Sequence, residues 1–368
     1  MTPYKIVGDL KRFNQRYTAF ARAGWDKSSI LYDLKSDGRD RAGRPGYGRE
    51  DLALQAGAWA VARSKMQPPP ASQKRSDMEA ADIQGNGRHK PQDLHAFTQR
   101  VKDAARLYGA AMVGIARVNP LWVYACNGQE KPIELPKGVN TAVVIAVEMD
   151  YQRMRTSPSA LSGAATGNGY SQMTFTGTCV ARYLTELGWQ AISSGNDTAL
   201  SIPLAVDAGL GELGRNGMLI TPRYGPRVRL CKVFTDAPLV PDGPVSFGVK
   251  EFCDVCMKCA DTCPSGSITA GEMTNCGPTS SNNPGVLKWY INPETCLAFW
   301  RKNGASCANC IRSCPFNKAP GWIHDLARAC IRLRSRLINR AMVRMDNLCG
   351  YGTGRDVRRA LDALRSAY

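Results

Sequence analysis

Two cysteine arrays constrain this sequence more than any other feature. In the first, Cys253, Cys256 and Cys259 precede Cys263-Pro264, which gives the spacing C-x2-C-x2-C-x3-C-P. The second array ends in the shorter run C-x2-C-x3-C-P and has one cysteine displaced upstream; its members are Cys296, Cys307, Cys310 and Cys314. This spacing is typical of bacterial proteins that hold two [4Fe–4S] clusters.

The spacing also predicts how these cysteines divide between the clusters. Three closely spaced thiolates reach three irons of one cubane, whereas the cysteine before proline points at the other cluster. We therefore expect one cluster on Cys253, Cys256, Cys259 and Cys314, and the second on Cys296, Cys307, Cys310 and Cys263. Zinc sites are the alternative, since C-x2-C also binds zinc, but the third cysteine and both Cys-Pro closures disfavour them.

The chain is much longer than two clusters require. Its 368 residues leave room for two or three domains. A helical pattern begins at Leu94, and a second helix is predicted over 172–188. Strands are predicted over 110–118, 140–151, 189–194, 217–222 and 227–236. This alternation predicts an α/β or α+β core.

We predict four parts from these patterns. An N-terminal segment and linker occupies 1–92, and its Pro-rich, polar stretch lies at 66–92. The core follows at 93–247, and a ferredoxin-like 2×[4Fe–4S] module at 248–320. A C-terminal segment with a basic helix, 321–368, is expected to pack on the core.

The net charge of +17 suits nucleic acid, an anionic membrane surface or an acidic redox partner. No zinc-finger, RNP or helix-turn-helix signature supports nucleic acid. Arginines are densest between Arg328 and Met345, where they interleave with apolar residues and predict a basic amphipathic helix. We favour a surface helix whose apolar stripe faces the core; a helix on a membrane or a partner is the alternative.

The location of the protein is also a sequence-based expectation. No apolar run is long enough to predict a transmembrane helix. The start, MTPYKIVGDLKRFNQRYTAF, contains neither an apolar signal region nor a twin arginine. As the sequence stands, we expect a cytoplasmic protein.

No common cofactor motif reveals what the clusters feed. A G-x-G-x-x-G after a strand, which indicates a dinucleotide site, is missing. The corrinoid motif D-x-H-x-x-G is approached only by DLHAFT at 93–98, which ends in Thr98.

Several blocks do, however, resemble the corrinoid-dependent reductive dehalogenases. They are RFNQRYTAFARAGWD (12–26), GNDTALSIPLAVDAGLGELGRNGMLITPRYGPRVRLCKVFTDAPL (195–239), SNNPGVLKWYINPETC (281–296), CPFNK (314–318) and MDNLCGYG (345–352). The blocks follow the order found in that family, and GNDTALS and SNNPGVLKWY are the most specific of them.

The resemblance implies a nitroreductase-like fold that holds cobalamin base-off, with two [4Fe–4S] clusters passing electrons to cobalt. It implies a small organohalide substrate and a low-potential electron donor, namely ferredoxin, flavodoxin or a membrane quinol system. A membrane-anchor partner is possible by the same analogy, and nucleic acid is not expected. Because respiratory members typically carry a twin-arginine signal, an exported, membrane-associated form with its signal removed is the alternative to a cytoplasmic one.

The resemblance also implies roles for individual residues. Tyr170, in a GYS context before a helix, matches the proton donor, and Asn196 in the GND turn matches the amide that orients it. Of the two arginines in GPRVRL, Arg229 fits the phenolate-stabilising cation better than Arg227. A phenol needs such a cation to release its proton readily. From the residues alone, a loop tyrosine, a turn-forming asparagine and a solvated arginine are the favoured interpretations, and only the resemblance reverses this.

Two further groups of residues are predicted on the same basis. Phe20, Thr166 and Trp289 are expected to line the substrate pocket, with core packing as the alternative for the aromatic residues. Asn283, Gly285 and Val286, in and next to the SNNPG loop, are expected to contact the corrinoid through their backbone.

Two rival functions stay open at this point. Epoxyqueuosine reductases share cobalamin, two clusters and a block like GLGELGRNGMLI (209–220), but they are expected to use an acidic proton donor. The second rival is a non-catalytic electron-transfer or corrinoid-carrier protein, which only turnover would exclude.

Overall fold

The computed structural model describes residues 4–34, 44–63 and 88–366. Most of the predicted linker at 66–92 therefore lies outside the described residues. The strands are β1 (Lys5–Ile6), β2 (Met112–Arg117), β3 (Thr141–Glu148), β4 (Ala191–Ser194), β5 (Glu212–Leu213), β6 (Leu219–Ile220), β7 (Val228–Thr235) and β8 (Val286–Leu287).

The helices surround these strands and vary widely in length. They are α1 (Ala19–Arg22), α2 (Arg49–Ala58), α3 (Ala60–Arg63), α4 (Leu94–Leu107), α5 (Tyr151–Arg155), α6 (Ala160–Glu186), α7 (Ser201–Asp207), α8 (Val249–Cys256), α9 (Lys258–Asp261), α10 (Pro293–Asn303), α11 (Asn309–Arg312), α12 (Trp322–Arg332), α13 (Arg336–Leu348) and α14 (Gly354–Arg365). The mixed helix and sheet architecture is the one that the sequence predicts.

A four-stranded sheet in the order β2-β3-β7-β4 forms the centre of the fold. All its pairs are antiparallel, and β3 pairs with β7 along its whole length, from Thr141 opposite Thr235 to Glu148 opposite Val228. Four of the five predicted strands lie in this sheet. The fifth, at 217–222, is reduced to β6, which pairs with β5 outside the sheet.

The two faces of the sheet are covered by different helices. Val143 and Ile145 of β3 point to the side where α4 and α6 pack, in a core that includes Phe97 and Leu184. Val144, which alternates with them, points to the opposite core beside α7. This period-two alternation places Arg229 and Lys232 of β7, three residues apart, on opposite faces of the sheet.

Helix α6 begins twelve residues earlier than the sequence predicts. The prediction started at Gln172, whereas the observed helix runs from Ala160. The early turns were missed because three glycines, Gly163, Gly167 and Gly169, lower the expected helix propensity. They occur because other side chains approach the helix there: a Cβ on Gly167 would lie 2.4 Å from Cδ1 of Trp59.

The cysteine-bearing region lies against the same core. The backbone of β8 pairs with β1, so the N-terminal segment is tied to the loop that precedes Trp289. Arg215, just after β5, donates to the carbonyl oxygen of Cys253 at 3.0 Å. The boundaries of the four predicted parts stay a prediction.

The predicted single basic helix over 328–345 is wrong. Helix α12 ends at Arg332, Arg334 adopts a left-handed φ of +55°, and α13 begins at Arg336. The apolar stripe does not face the core along its whole length: Ile331 is buried, but the side chain of Leu337 is 77% exposed. Among the described residues, no helix is both long and apolar enough to span a bilayer.

Candidate active site and cluster sites

Tyr170 lies inside α6 rather than in a loop before it, and three side chains surround its phenol group. Asn196 donates a hydrogen bond from Nδ2 to the Tyr170 hydroxyl at 3.1 Å. The guanidinium carbon of Arg229 lies 4.7 Å from the centroid of the Tyr170 ring. The indole of Trp59 stacks on the same ring with a centroid distance of 5.0 Å and an interplanar angle of 26°.

The glycines of α6 make this arrangement possible. A Cβ on Gly169 would lie 2.9 Å from Cγ of Arg229, so a larger residue would push the arginine away from Tyr170. Gly167 in turn leaves room for the indole of Trp59, whose Nε1 donates to the carbonyl oxygen of Gly163 at 3.2 Å. Because Gly167 and Gly169 have no side chains, Trp59 and Arg229 can both approach the helix next to the phenol.

The structure places Arg229, and not Arg227, beside the phenol. Arg227 is fully buried and is held by Asn317 at 2.9 Å, by the carbonyl oxygen of Met149 at 2.6 Å and by the carboxylate of Glu148. The Nε of Arg229, by contrast, is buried without a hydrogen-bond partner among the described residues. Such an orphaned donor next to a phenol is available for a group that develops negative charge.

A cavity of about 740 Å³ opens next to this constellation. Of the predicted site residues, Asn196, Asn283, Val286 and Trp289 line it. Its volume lies in the upper part of the range for small-molecule and cofactor pockets. Asn196 therefore both lines the cavity and donates a hydrogen bond to the Tyr170 hydroxyl.

Two predicted pocket residues do not line this cavity. Phe20 is 67% exposed on the outer side of the short helix α1 and packs edge-on against Trp300, because the inner side of that helix is occupied by the buried Arg22. Thr166 is buried in α6, and its Oγ1 has no hydrogen-bond partner in the described part of the chain.

Several groups of the predicted corrinoid-contacting loop are already hydrogen-bonded within the protein. The amide of Gly285 donates to Asn275 at 2.7 Å, and its carbonyl oxygen accepts from Val7 at 2.8 Å, so neither group is open to a ligand. Asn283 donates its side-chain amide to the carbonyl oxygen of Lys11 at 3.1 Å. Trp289, which follows the loop, presents a buried Nε1 without a partner among the described residues.

The size and the lining of the cavity fit a large, amide-rich cofactor such as a corrinoid. Trp289 lines the cavity and has a hydrogen-bond donor to give. Val286 and Leu10 supply apolar wall, and Asn196 and Ser201 supply polar groups. A few polar groups among apolar ones is the usual composition of a cofactor pocket.

The first predicted cysteine set surrounds one small cavity. Cys253, Cys256, Cys259 and Cys314 line it together. No three Cys, His, Asp or Glu side chains of the described chain are arranged to hold one metal ion. A cubane cluster is larger than one ion, so its four ligands must surround a space instead of converging on a point.

Burial controls the ionisation of these thiols. It raises the pKa of Cys253, Cys256 and Cys259 to about 12. Burial, and then the charges of the other three thiols, raises the pKa of Cys314 well above its ordinary value. Iron must therefore displace four protons when a cluster forms here.

The second predicted set is also brought together, in the region of α10 and α11. Burial comes first among the causes that raise the pKa of Cys310, followed by the charges of Cys307 and Cys296, with Cys263 also contributing. Cys263 differs from the others. Although burial acts to raise its pKa, hydrogen bonds from Ser265 and the following amides lower it below the ordinary thiol value.

Two residues that the sequence did not single out connect these sites. Arg215 lines the first cysteine cavity, and its guanidinium carbon lies 4.4 Å from the ring centroid of Trp289, which lines the large cavity. Trp59 covers the phenol of Tyr170. Arg215 was visible in the block GLGELGRNGMLI, but no spacing rule marked its role; Trp59 lies in a segment without clear periodicity.

Comparisons with known proteins agree with this geometry. Residues 252–318 match the 4Fe-4S dicluster domain family. The chain is 36% identical over 320 residues to a tetrachloroethene reductive dehalogenase of Desulfitobacterium hafniense, which covers 75% of this chain and 57% of that protein. It is also 36% identical over 302 residues to the tetrachloroethene reductive dehalogenase of Sulfurospirillum multivorans, covering 74% and 60%.

A solved structure shares the fold across nearly the whole chain. A reductive dehalogenase, described as suggesting a mechanism for B12-dependent dehalogenation, superposes with a TM-score of 0.73 at 23% identity, covering 97% of this chain and 49% of that one. The chain spans less than two thirds of the length of the curated relatives that it matches. Its sequence identity to these relatives confirms, over three quarters of its own length, the resemblance to the reductive dehalogenase family that the sequence predicts.

Proposed function

We propose that this chain replaces a carbon–halogen bond of a small organohalide by a carbon–hydrogen bond. The overall step, R–X + 2e⁻ + H⁺ → R–H + X⁻, needs two electrons and one proton. The observation that carries the proposal is the contact of Asn196 and Arg229 with the phenol of Tyr170, at the edge of a cofactor-sized cavity.

Tyr170 is the proton donor of the proposed reaction. A phenol holds its proton at neutral pH, so it needs a stabilised anion to act as a general acid. Arg229 places a permanent positive charge against the ring, and Asn196 donates to the oxygen on which charge develops. Both interactions strengthen as the proton leaves, which is the requirement for lowering a barrier.

A corrinoid is the cofactor that the large cavity would hold, with Trp289, Val286 and Asn196 among the residues that line it. When bound, it supplies the electrons that break the carbon–halogen bond. The B12-dependent mechanism discussed for the structurally similar dehalogenase supports this cofactor.

Two [4Fe–4S] clusters are proposed as the route by which electrons arrive. Their ligands are the two cysteine sets that the structure brings together, the first with Cys314 and the second with Cys263. A dicluster domain match over 252–318 supports two clusters rather than one. Arg215 and Trp289 lie between the first set and the large cavity.

The proposal is tested by halide release. The chain is reconstituted anaerobically with cobalamin, iron and sulfide, and reduced methyl viologen serves as the electron donor. Because the curated relatives are named for tetrachloroethene, chlorinated ethenes come first, followed by haloaromatic compounds. Chloride release with one mole of dechlorinated product is expected. No halide from any substrate, together with activity on epoxyqueuosine-containing tRNA, would replace this function by the rival one.

A further inference from the structure

The outer face of α13 carries a row of exposed charges. Arg336, Arg340 and Arg344 follow at intervals of four residues and are all exposed. Leu337 and Met345, beside them, are exposed as well. We call these five side chains the basic ridge. Arginine and methionine are enriched at protein interfaces relative to the rest of the surface.

The inner face of the same helix lies against the first cysteine set. Met342 and Val343 pack in the small core that contains Cys253, Cys256 and Cys314. Asp346 is buried and pairs with Lys258 and, at 2.6 Å, with Lys318. The basic ridge is therefore one helix thickness, on the order of 10 Å, from the thiols of the first set.

We propose that the basic ridge docks an acidic one-electron carrier protein, such as a ferredoxin or a flavodoxin. The inference rests on the proposed function, because the carrier would supply the electrons for dehalogenation. Each carrier protein gives up one electron, so two encounters supply the two electrons needed to reduce one carbon–halogen bond. Charge complementarity selects the partner, since α12, α13 and the break between them carry six arginines, at 328, 332, 334, 336, 340 and 344, against Asp325 and the buried Asp346. A second copy of the chain would meet this ridge with the same charge.

The dimensions of the ridge suit a transient contact. A helix of thirteen residues is about 20 Å long, which matches the small interfaces of electron-transfer encounters. The electrostatic part of such an association acts mainly on the rate of encounter and weakens as salt increases.

The test compares a protein donor with a small one. Arg336, Arg340 and Arg344 are changed together to Gln, and Arg355, Arg358 and Arg359, which are exposed on the neighbouring helix α14, are changed together to Gln as the control. Reduction of the iron–sulfur chromophore is followed by stopped flow with reduced acidic ferredoxin and, separately, with methyl viologen. This readout does not require dehalogenation, so it stays informative if the proposed function fails.

The ridge variant is expected to react on the order of 10-fold more slowly with ferredoxin at low salt, with a weaker salt dependence, while its viologen rate and the control variant are unchanged. An equal decrease in the reduction rate with both donors would indicate that the arginines act only on the structure of the protein, and it would overturn the proposal. Unchanged ferredoxin kinetics would overturn it too, and loss of co-sedimentation with phosphatidylserine vesicles in that case would assign the ridge to a membrane instead.

A separate observation concerns a buried lysine behind the active site. Lys232 of β7 is 0% exposed, and its Nζ contacts three acceptors. It donates to the carbonyl oxygens of Gly195 and of Ala199, the latter at 2.8 Å, and to Oγ of Ser201 at 3.0 Å. An ammonium group has three N–H donors, so this site uses all of them.

Gly195 and Ala199 belong to the turn that carries Asn196, and Ser201 is the first residue of α7, which follows that turn. Thr198, in the same turn, adopts a left-handed φ of +65°, which costs energy for a β-branched residue unless its surroundings impose it. We infer that Lys232 is the positioning residue of the proton-donor site, holding the turn so that Asn196 stays on the Tyr170 hydroxyl. This inference also rests on the proposed function of Tyr170.

The charge of Lys232 gives this role a pH signature. Burial lowers its pKa to about 8, while the charges of Asp197 and Cys231 act in the opposite direction. The residues paired with Lys232 on the adjacent strands, Val144 and Ser194, do not titrate. As the pH rises above about 8, the ammonium loses a proton, and one acceptor of the turn loses its donor.

The test uses Lys232→Met and Asn196→Ala singly and together. Each single variant is expected to lower kcat on the order of 10-fold with little change in KM, and the double variant to be no worse than either, because both act through one contact. Lys232→Met should also remove the alkaline limb of the kcat profile near pH 8. Additive losses, or an unchanged alkaline limb, would overturn the inference. Hydrogen exchange over residues 195–201 provides a readout without turnover: faster exchange in Lys232→Met is expected, and equal protection would refute the role.

Discussion

Replacing Arg229 by Gln removes the cation beside the phenol while keeping most of the aliphatic stem. The guanidinium carbon lies 4.7 Å from the ring centroid of Tyr170. At about that distance two unit charges interact by about 3.5 kcal/mol at an effective dielectric of 20, and by about 0.9 kcal/mol in water. Because Arg229 is half-buried, the stabilisation of the developing phenolate should fall between these values.

A loss of about 0.9 to 3.5 kcal/mol in the proton-transfer step corresponds to a decrease of roughly 5-fold to 400-fold in its rate. The measurement is kcat for halide release with saturating viologen, in H₂O and in D₂O. We expect kcat to fall within this range and the solvent isotope effect to increase, because proton transfer becomes more rate-limiting. Arg229→Lys is the control variant: it keeps the charge but not the planar fork, so it should retain more activity than Arg229→Gln.

Iron and cobalamin contents decide whether the comparison is valid, since they must be equal in the wild type and both variants. With equal contents, a kcat of Arg229→Gln within a factor of two of the wild type and an unchanged isotope effect would refute the role of Arg229 as a phenolate stabiliser.

Contacts around Trp59, Cys263 and Asp356 can be tested separately. Gly167→Val should displace the indole of Trp59 from the phenol, and a loss of activity accompanied by increased quenching of tryptophan fluorescence by acrylamide would show it; unchanged quenching would contradict the packing. Cys263→Ser should lower the iron content from about eight to about four per chain, whereas substituting a cysteine outside the two sets should not; full iron content in Cys263→Ser would refute the crossed ligand sets. Burial acts to raise the pKa of Asp356, but Arg155 and nearby hydrogen bonds lower it overall, so this group stabilises the fold above about pH 4 and ceases to do so as the pH falls through its folded-state pKa. Asp356→Asn should therefore flatten the fall of Tm on acidification, and an unchanged acid limb would contradict this account.

The proximity of Cys314 to Cys253, Cys256 and Cys259 around one cavity was predictable from sequence. A cluster needs thiolates at short, defined separations, and the two Cys-Pro closures predict the crossed ligand sets. The strands of the central sheet were equally visible, because β3 and β7 are rich in the β-branched, aromatic and aliphatic residues that favour strands.

Other features depend on tertiary contacts that no local pattern records. The start of α6 was missed because glycines that make room for Trp59 and Arg229 look locally like helix breakers. The burial of Lys232 could not be predicted from sequence, because a lysine in a strand is usually solvated. Only the folded chain brings three hydrogen-bond acceptors around its ammonium group. The break between α12 and α13 at Arg334 and the exposure of Leu337 were likewise not visible in the sequence, because arginines and apolar residues interleave throughout 328–345.

We propose above that the Tyr170 hydroxyl delivers the proton that completes dehalogenation. The most direct measurement is anaerobic halide release by Tyr170→Phe, with Tyr183→Phe on the same helix as the control and with equal cobalamin and iron contents in all proteins. We predict that Tyr170→Phe loses at least about 100-fold in kcat, as expected when a general acid is removed, whereas Tyr183→Phe keeps the wild-type rate. Halide release by Tyr170→Phe at the wild-type rate would contradict the claim.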